Sequence, residues 1–470
     1  MTEQGEDDST QPENEQPPVR RGLLFAIIAL ALMMMAVDGT IVATALDALE
    51  TGLNTSINWV GWTITAYSFG FVLMLPISGK LASRYGNRRV FLGSVLAFTL
   101  ASLCCGLADN IYVLIALRAL QAAGGAGFTP SATGIIVEHF GAARDRAVGL
   151  FGSIFPVGGM IGPIFGGLFV SYWSWRGIFL VNVPIGLTVI LLALRYVPRD
   201  RPGTEQPRSK LDIVGLMLMG TGLITGMLAA TYLGEKDSHL WSPTFIVPLV
   251  VAVVSTLLFL RHTHRAANPF IAPHLIHGPG FGIVNLVNIL YGGVTSGTLI
   301  LVPLYAINRY GLDALDSGTL LIAQGAAAIL FSSMAAFMLR STGYRPPLYV
   351  GSTAIIIGML LLAMQPLAGI SPYVWLACSA FLVGAGGGTI NPASRNAGLQ
   401  LEPDKAPSIA ALRSMCLQVG KITTISAATA VLASSADPGH TQIGIFMVAA
   451  ALLLVAMPIF TRVPEHRGSW

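Results

Sequence analysis

Long apolar runs separated by short polar segments make up the chain from Gly22 to Thr461. A helix rises about 1.5 Å per residue, so a run of about 20 residues crosses the roughly 30 Å hydrocarbon core of a bilayer. The pattern predicts an all-α polytopic membrane protein with fourteen transmembrane helices. The predicted spans are residues 22–45, 58–78, 89–107, 111–137, 147–170, 177–195, 212–233, 244–260, 280–308, 317–338, 347–366, 372–393, 408–433 and 441–460.

Composition and charge agree with this class of protein. Only 11% of the residues are charged, against roughly 25% in soluble domains. With the N-terminus in the cytoplasm, all but six of the 27 Lys and Arg, Arg395 among them, fall in predicted cytoplasmic segments. This bias predicts that both termini are cytoplasmic. The exceptions are Arg176, Lys236 and Arg309 in outer loops, and Arg118, Arg413 and Lys421 within spans.

The two ends of the chain are predicted to be solvated tails. Residues 1–21 are acidic up to Arg20 and contain three prolines, which is typical of a disordered cytoplasmic tail and not of a signal peptide. Residues 462–470 form a second, short cytoplasmic tail in this prediction.

Cysteine and histidine positions predict neither disulfides nor a metal site. The cysteines lie in apolar stretches and are expected to be buried thiols. The histidines after the eighth span lack paired Cys or acidic ligands, so a solvated basic loop is favoured over metal binding. These residues are Cys104, Cys105, Cys378 and Cys416, and His262, His264, His274 and His277.

A weak internal repeat divides the chain. GKLASRYGNRRVFLGS (79–94) and MLRSTGYRPPLYVGS (338–352) share a Gly-x-Arg and a final Gly-Ser, and lie eight predicted spans apart. Parallel repeats are typical of two-bundle transporters. The repeat predicts six-helix bundles at 22–197 and 280–461, with two inserted helices and their linkers at 198–279.

Asp38 is the only acidic residue deep within a predicted span. About four apolar turns precede it, which would place it well inside the helix. An ionised carboxylate at the middle of a membrane helix costs roughly 2.5–3.5 kcal/mol on insertion scales. Asp38 is therefore the first candidate for a proton carrier.

Three segments resemble motifs of the major facilitator superfamily. VDGTIVATAL (37–46) resembles the first-span signature Asp-x-Thr-Ile-Val-x-x-Ala-Leu-Pro, GKLASRYGNRR (79–89) the cytoplasmic-loop motif, and RALQAAGGAG (118–127) the Arg-x-x-Gln-Gly-x-Gly motif. Over residues 22–461 the chain is similar to the fourteen-span drug:proton antiporter family. The resemblance implies proton transfer between Asp38 and Arg118, although a snorkelling or carbonyl-capping Arg118 remains an alternative.

Two motifs are expected to govern conformational change. In the loop motif Ser83 stands where the family usually has Asp, and the cations there also serve as topology determinants. In span five, glycines at i, i+4 and i+8 share one helix face, which favours close packing and resembles the motif of antiporters. The residues are Gly79, Arg84, Gly86, Arg88 and Arg89 in the loop, and Gly158, Gly162, Pro163, Gly166 and Gly167 in span five.

Lys421 departs from the family, whose members usually have an apolar or small residue there. A lysine near mid-membrane must pair, titrate or face an aqueous cavity. It is expected to pair with Asp38, to attract an anionic or zwitterionic substrate, or to be structural. Arg413 matches a family arginine. Further candidate cavity residues, each of which also suits an interhelical hydrogen bond, are Tyr67, Asn285, Asn288, Tyr291, Gln324 and Asn391.

These residues indicate a proton-coupled secondary transporter of the cell (inner) membrane that exports a small organic molecule or drug by alternating access. It is expected to be a monomer, with the substrate, protons and the lipid bilayer as partners, no nucleic acid and no cofactor. The alternative is an exporter or flippase of an amphipathic lipid or anionic metabolite, which would use Lys421 and Arg413 for the anionic group. An intramembrane enzyme is disfavoured because the spans offer no nucleophile–base pair.

Overall fold

The computed structural model describes residues 20–42, 45–55, 57–200, 212–233, 239–267, 269, 271–297, 301–312, 314–433, 435 and 437–466. Every regular element in these ranges is a helix, which confirms the all-α prediction. The predicted tail at 1–19 and residues 467–470 lie outside the described part of the chain.

The described ranges contain nineteen α-helices. They are α1 (Arg21–Ile41), α2 (Leu46–Gly52), α3 (Ile57–Tyr85), α4 (Asn87–Gly106), α5 (Ile111–Gly125), α6 (Phe128–His139), α7 (Arg144–Tyr172), α8 (Gly177–Leu180), α9 (Asn182–Tyr196), α10 (Ile213–Leu233), α11 (Pro243–Arg265), α12 (Pro273–His277), α13 (Phe281–Tyr291), α14 (Val302–Tyr310), α15 (Ala314–Thr342), α16 (Arg345–Ala363), α17 (Pro372–Leu399), α18 (Ala406–Ala433) and α19 (Pro438–Ala456).

Eleven helical segments among the described residues are long and apolar enough to cross a membrane, so the chain is a multi-pass membrane protein. Ile213–Ala229 and Phe281–Thr295 are shorter apolar helices. Helix α18 has 28 residues but carries Arg413 and Lys421, which lower its mean hydropathy. The count of fourteen spans therefore stays a prediction.

Helix α17 corrects one sequence expectation. The apolar pattern ended at residue 393 and placed Arg395 in a cytoplasmic segment, but the helix continues to Leu399 and Arg395 is buried within it. Hydropathy ends a span at the first charge, whereas a helix continues wherever neighbouring helices cover that charge.

The prediction of buried cysteines is also wrong in part. Cys104 and Cys378 are exposed, because they lie on outward helix faces, while Cys105 and Cys416 are buried, and all four are free thiols.

Three long helices begin with the same local chemistry. Ser242, Ser371 and Asp437 each accept a hydrogen bond from a first-turn amide of α11, α17 and α19. A proline follows each cap at the first helical position, where its missing N–H leaves no bond unmade. These cap–proline pairs fix where three membrane helices start.

Helices α1 and α7 approach closely through glycine. A Cβ on Gly158 would clash with Ala36 and lie 3.1 Å from its carbonyl carbon, and one on Gly162 would clash with Thr40. Gly166 is buried, whereas a Cβ on Gly167 would meet nothing within 4 Å. Helix α7 is continuous through Pro163, so the proline does not break it. The glycine face predicted in span five thus packs on the helix that carries Asp38.

The cytoplasmic-loop motif forms a turn that an acid from a distant segment holds. Gly86 has φ 95°, a conformation that suits glycine, and it separates α3 from α4. Asp200 accepts hydrogen bonds from the backbone amides of Arg88 at 2.8 Å and Arg89 at 3.2 Å. The guanidinium of Arg88 donates to Leu194 O at 2.9 Å. Asp200 therefore caps the start of α4 and ties it to the chain that follows α9.

The second copy of the repeat has the same geometry. Gly343 has φ 77° and precedes α16. Glu465 accepts from the amides of Tyr344 at 2.6 Å and Arg345 at 3.4 Å, and Arg345 Nε donates to Val463 O at 2.9 Å. In both copies an acid that follows the last helix of its half caps the helix after the turn. The short sequence match at Gly-x-Arg therefore marks two equivalent turns.

The end of the molecule that holds Gly86, Gly343 and Pro403–Lys405 is called the basic end. Helices α1–α9 are called the N-terminal bundle, and helices α13–α19 are called the C-terminal bundle. At the basic end the bundles touch closely. A Cβ on Gly79 would lie 2.6 Å from Ala411 Cβ, and Ser83 Oγ lies 3.2 Å from Ser408 Oγ. Asn396 Nδ2 donates to Asp145 O at 3.1 Å, and Ser153 Oγ lies 3.1 Å from Ser333 Oγ. Ser83 thus supplies a neutral hydrogen bond where the family's Asp would carry charge.

We expect Gly158→Ala to lower the melting temperature of the purified protein in detergent. The added methyl group would push α1 away from α7, and overpacking of this kind costs about 1–3 kcal/mol. Gly159→Ala is the matched control, because a Cβ there meets nothing within 4 Å and alanine favours helix. Equal melting temperatures for the two variants would contradict the close α1–α7 contact.

Candidate functional site

Asp38 lies in the last turn of α1, not at mid-helix as its apolar surroundings suggested, because α1 ends at Ile41. Its exposed fraction is 0%, so neighbouring helices bury it rather than depth in the bilayer alone. Helix α1 begins at the basic end, and Asp38 therefore lies towards the opposite end of the N-terminal bundle.

Three side chains from two other helices hold the carboxylate. Arg118 NH1 donates to Asp38 Oδ2 at 2.8 Å. Gln121 Nε2 and Asn182 Nδ2 both donate to Oδ1 at 2.9 Å. All three partners are donors, so the arrangement fits an ionised Asp38 balanced by one guanidinium.

A second layer positions these partners. Gln121 accepts from Arg118 NH1 at 2.6 Å and donates to Ser102 Oγ at 2.6 Å. The Arg118 guanidinium carbon lies 4.2 Å from the centre of the Tyr67 ring and 5.6 Å from that of Phe179. Aromatic faces stabilise a desolvated cation. Helices α1, α4, α5 and α9 thus contribute hydrogen bonds to one buried network, with α3 and α8 against it.

The sequence identified Asp38, Arg118 and Tyr67 as candidates but missed Gln121, Asn182 and Ser102 as partners. Gln121 and Asn182 do carry a signal, since each is an amide among apolar residues, and Gln121 belongs to the Arg-x-x-Gln motif. Their exposed fractions are 0% and 1%, and a buried amide needs partners. Ser102 gives no such signal, because serine is common on membrane helix faces.

Three of the candidate cavity residues, Arg413, Asn391 and Tyr291, lie together in the C-terminal bundle. Arg413 NH2 donates to Asn391 Oδ1 and to Ser394 Oγ, both at 3.2 Å. Tyr291 donates to the carbonyl of Gly387, one turn before Asn391. Arg413 is buried and has only neutral hydrogen-bond partners in the described part of the chain.

The other candidates lie apart from this cluster. Asn285 donates to the carbonyls of Leu275 and Ile276, and Asn288 donates to Val284 O within its own helix. Gln324 is half-buried on α15. Asn285 therefore bonds between two helices and Asn288 bonds within its own helix, which favours a structural role for both residues.

Lys421 is half-buried on α18, and the structure places no ion pair or hydrogen bond on its ammonium among the described residues. The described partners of Asp38 all belong to the N-terminal bundle and do not include Lys421, so pairing of Lys421 with Asp38 stays a prediction. The Lys421 face of α18 is opposite the face formed by Leu412, Cys416 and Val419.

That opposite face borders a large apolar cavity of about 810 Å³ between α3, α10, α11, α13 and α18. Asn285 and Thr423 are among its few polar neighbours, and most of the lining is aliphatic. The cavity separates the α10–α11 pair from the C-terminal bundle. It contains none of the charged candidates.

Two histidines at the basic end lie within hydrogen-bond distance of acidic side chains. His262 lies 2.8 Å from Asp212, and His274 lies 2.9 Å from Glu402. No group of three or more metal-ligating side chains occurs among the described residues. Burial raises the pKa of Glu402, but hydrogen bonds from Lys405 and His274 lower it by more, so this carboxyl titrates below its usual range.

The fold and the site define a class of protein: a polytopic helical protein with two related bundles and a buried charged network in one of them. Residues 28–215 and 213–425 match the Major Facilitator Superfamily, so the chain belongs to that superfamily of transporters and is not an enzyme.

Relatives agree with this assignment. The chain is 32% identical to a multidrug resistance protein B homolog of Mycobacterium tuberculosis, over 71% of this chain and 61% of that protein's length. It is 30% identical to the cephamycin export protein CmcT of Amycolatopsis lactamdurans, over 93% of each chain. The fold is similar to that of the human organic anion transporter MFSD10, with a TM-score of 0.66 at 15% identity over 95% of this chain and 100% of the other.

We expect Arg118→Leu to destabilise the protein more than the double substitution Asp38→Leu/Arg118→Leu. Removing one partner of a buried ion pair costs about 3–5 kcal/mol, because the other charge stays buried, whereas replacing both with apolar groups is often nearly neutral. Melting temperatures in detergent for wild type, both single variants and the double variant measure the coupling. An Arg118→Leu variant as stable as the double variant would contradict an ionised Asp38.

Proposed function

We propose that this transporter is a drug exporter of the fourteen-span antiporter type. The two shorter apolar helices and the long, partly charged α18 bring the eleven apolar segments to fourteen passes. Two equivalent turns at Gly86 and Gly343 support six-helix bundles at 22–197 and 280–461, with α10 and α11 inserted between them. The excess of Lys and Arg in the predicted cytoplasmic loops supports our proposal that the basic end and both termini face the cytoplasm and that the protein lies in the cell (inner) membrane.

Export by alternating access is the reaction that we assign to the chain. Relatives named for multidrug resistance and cephamycin export support an outward-directed small-molecule substrate. The contacts at Gly79, Ser83 and Asn396 close the space between the bundles at the basic end. In our proposal, the bundles rock apart there to admit substrate from the cytoplasm and close behind it.

Proton coupling through Asp38 is the second part of the proposal, and the buried Asp38 network is the observation that carries it. A proton on Asp38 would neutralise the carboxylate and weaken its ion pair with Arg118 and its bonds to Gln121 and Asn182. The network joins α1 to α5 and α9, so its protonation state biases how these helices pack. One proton crossing 100 mV supplies about 2.3 kcal/mol.

Export of an anionic amphiphile or metabolite remains a second candidate. It is favoured by the C-terminal bundle, where Arg413 has only neutral hydrogen-bond partners and Lys421 has none among the described residues. A buried cation without a counter-charge is unfavourable unless an anion or water meets it. An anionic substrate would supply that charge during transport.

Purified wild-type protein in weakly buffered detergent solution should release protons when a transported compound is added, and Asp38→Asn should release none. We would follow a pH-sensitive dye during addition of ethidium (cationic), norfloxacin (zwitterionic) and 4-phenylbutyrate (anionic). Asp109→Asn removes an exposed acid and is the matched control. Proton release by Asp38→Asn equal to that of wild type would reject coupling through Asp38.

If the substrate is anionic, Lys421→Met should reduce uptake of that compound into inverted proteoliposomes by about tenfold or more while proton binding at Asp38 persists. The loss follows from removal of a charge-assisted contact in a desolvated space. Lys236→Met, in a predicted outer loop, is the control. Undiminished anion uptake by Lys421→Met would remove Lys421 from the substrate site.

A further inference from the structure

Arg395 and Arg413 line the same cavity at the contact between the bundles, and neither has an acidic partner among the described residues. Their exposed fractions are 6% and 5%, and both line one small cavity near Thr129 of α6. The structure gives the Arg395 guanidinium no hydrogen-bond acceptor among the described residues, and Arg413 binds only Asn391 and Ser394. Their Nε atoms are buried without partners.

Two buried guanidinium groups in one place are costly without a counter-charge. Burial removes the hydration of each cation, and their like charges repel. Neutral amide, hydroxyl and aromatic groups offset only part of this. The Arg395 guanidinium carbon lies 5.3 Å from the centre of the Phe151 ring, a contact that favours a cation but does not neutralise it. Two buried cations that neutral groups compensate only in part are suited to bind an anion.

The closed conformation leaves no room for that anion. The cavity between the arginines is about 10 Å³, which is space for one water at most. Thr129 and Phe151 belong to the N-terminal bundle, whereas both arginines belong to the C-terminal bundle. Separation of the bundles at the basic end would remove this cover. Arg395 lies about 6 Å and Arg413 about 10 Å along its helix from that end, so water and solutes would then reach them.

We propose that Arg395 and Arg413 form a binding site for a carboxylate or phosphate group, accessible from the basic end when the bundles separate there. The planar guanidinium groups match such anions through paired N–H donors. The inference rests on the alternating-access function proposed above and adds a substrate class, organic anions and zwitterions. An anion that binds only the separated form shifts the population towards it.

A disulfide at the basic end reports this shift. Ser83 and Ser408 touch across the bundles, so Ser83→Cys/Ser408→Cys in a background without the four native cysteines should cross-link readily under mild oxidation. We expect saturating 4-phenylbutyrate or phenyl phosphate to slow cross-linking by about tenfold. The neutral 4-phenylbutyramide and the cationic 3-phenylpropyltrimethylammonium should leave the rate unchanged.

Substitutions assign the response to the arginine pair. Arg395→Gln and Arg413→Gln should each abolish the slowing by anions, and Arg261→Gln, an exposed arginine with the same charge change, should retain it. Arg395→Lys keeps the charge but loses paired donation, so a weakened response to anions is expected. If a glutamine variant does not fold, the lysine variants carry the test, and a lysine response equal to that of wild type for both arginines would overturn the site.

Changing the lipid of the nanodisc shows whether the anion that binds the two arginines is a soluble molecule or a lipid headgroup. In nanodiscs of phosphatidylcholine alone, slowing by 4-phenylbutyrate assigns the site to a soluble anion. Slowing by added phosphatidylglycerol without any probe, lost in Arg395→Gln, assigns it to the headgroup of an anionic lipid, because phosphatidylcholine has the same phosphate but no net charge. Equal slowing by the amide or the cation, or a response unchanged in both glutamine variants, would overturn the proposal.

Asp38→Asn separates this inference from proton coupling. The variant should lose proton release and keep the response of cross-linking to anions, because the arginine pair lies in the other bundle. Proton release with ethidium but no anion response in wild type would reject the arginine site alone. An anion response without proton release for any compound would reject only the coupling through Asp38.

Discussion

The ion pair between Asp38 and Arg118 is the contact on which the packing of the N-terminal bundle depends. A carboxylate with no exposed surface is stable only because a guanidinium and two amides meet its oxygens. Those donors come from α5 and α9, so α1 cannot shift along them without breaking a charged hydrogen bond. The same network is therefore a structural tie between these helices and the element through which we propose that a proton acts.

Small residues allow the helices around this network to approach one another. Lipid tails are as apolar as leucine, so membrane helices associate by close packing and hydrogen bonds more than by exclusion of water. Gly158 and Gly162 let α7 lie against α1 on either side of Asp38 along the chain. Gly79 does the same for α3 and α18 between the bundles. Close but largely apolar contacts suit the alternating access that we propose, because few bonds would break when the bundles separate.

The sequence predicted the helices and the ionisable core of the site more fully than its partners. Apolar runs predicted the long membrane helices, and an acid inside an apolar run identified Asp38. Gln121 and Asn182 were missed because the chain brings α5 and α9 to α1 only in three dimensions. Asp200 and Glu465 show the same limit, since an acid in a polar segment gives no sign of the distant amides that it caps. Arg395 was misplaced because hydropathy marks a charge as the end of a span, while tertiary cover decides whether it is buried.

The two bundles carry unlike electrostatics, and this difference constrains any coupling mechanism. The Asp38 network pairs its buried charges within the N-terminal bundle, whereas Arg395 and Arg413 in the C-terminal bundle have no carboxylate partner among the described residues. Asp38 lies towards the end opposite the arginines, and its described partners do not include Lys421. Direct charge neutralisation between the two clusters is therefore not how they communicate in this conformation. In the mechanism that we propose, coupling would pass through the relative position of the bundles, because the contacts that cover the arginines and those of Gly79 and Ser83 with α18 all lie between the two bundles.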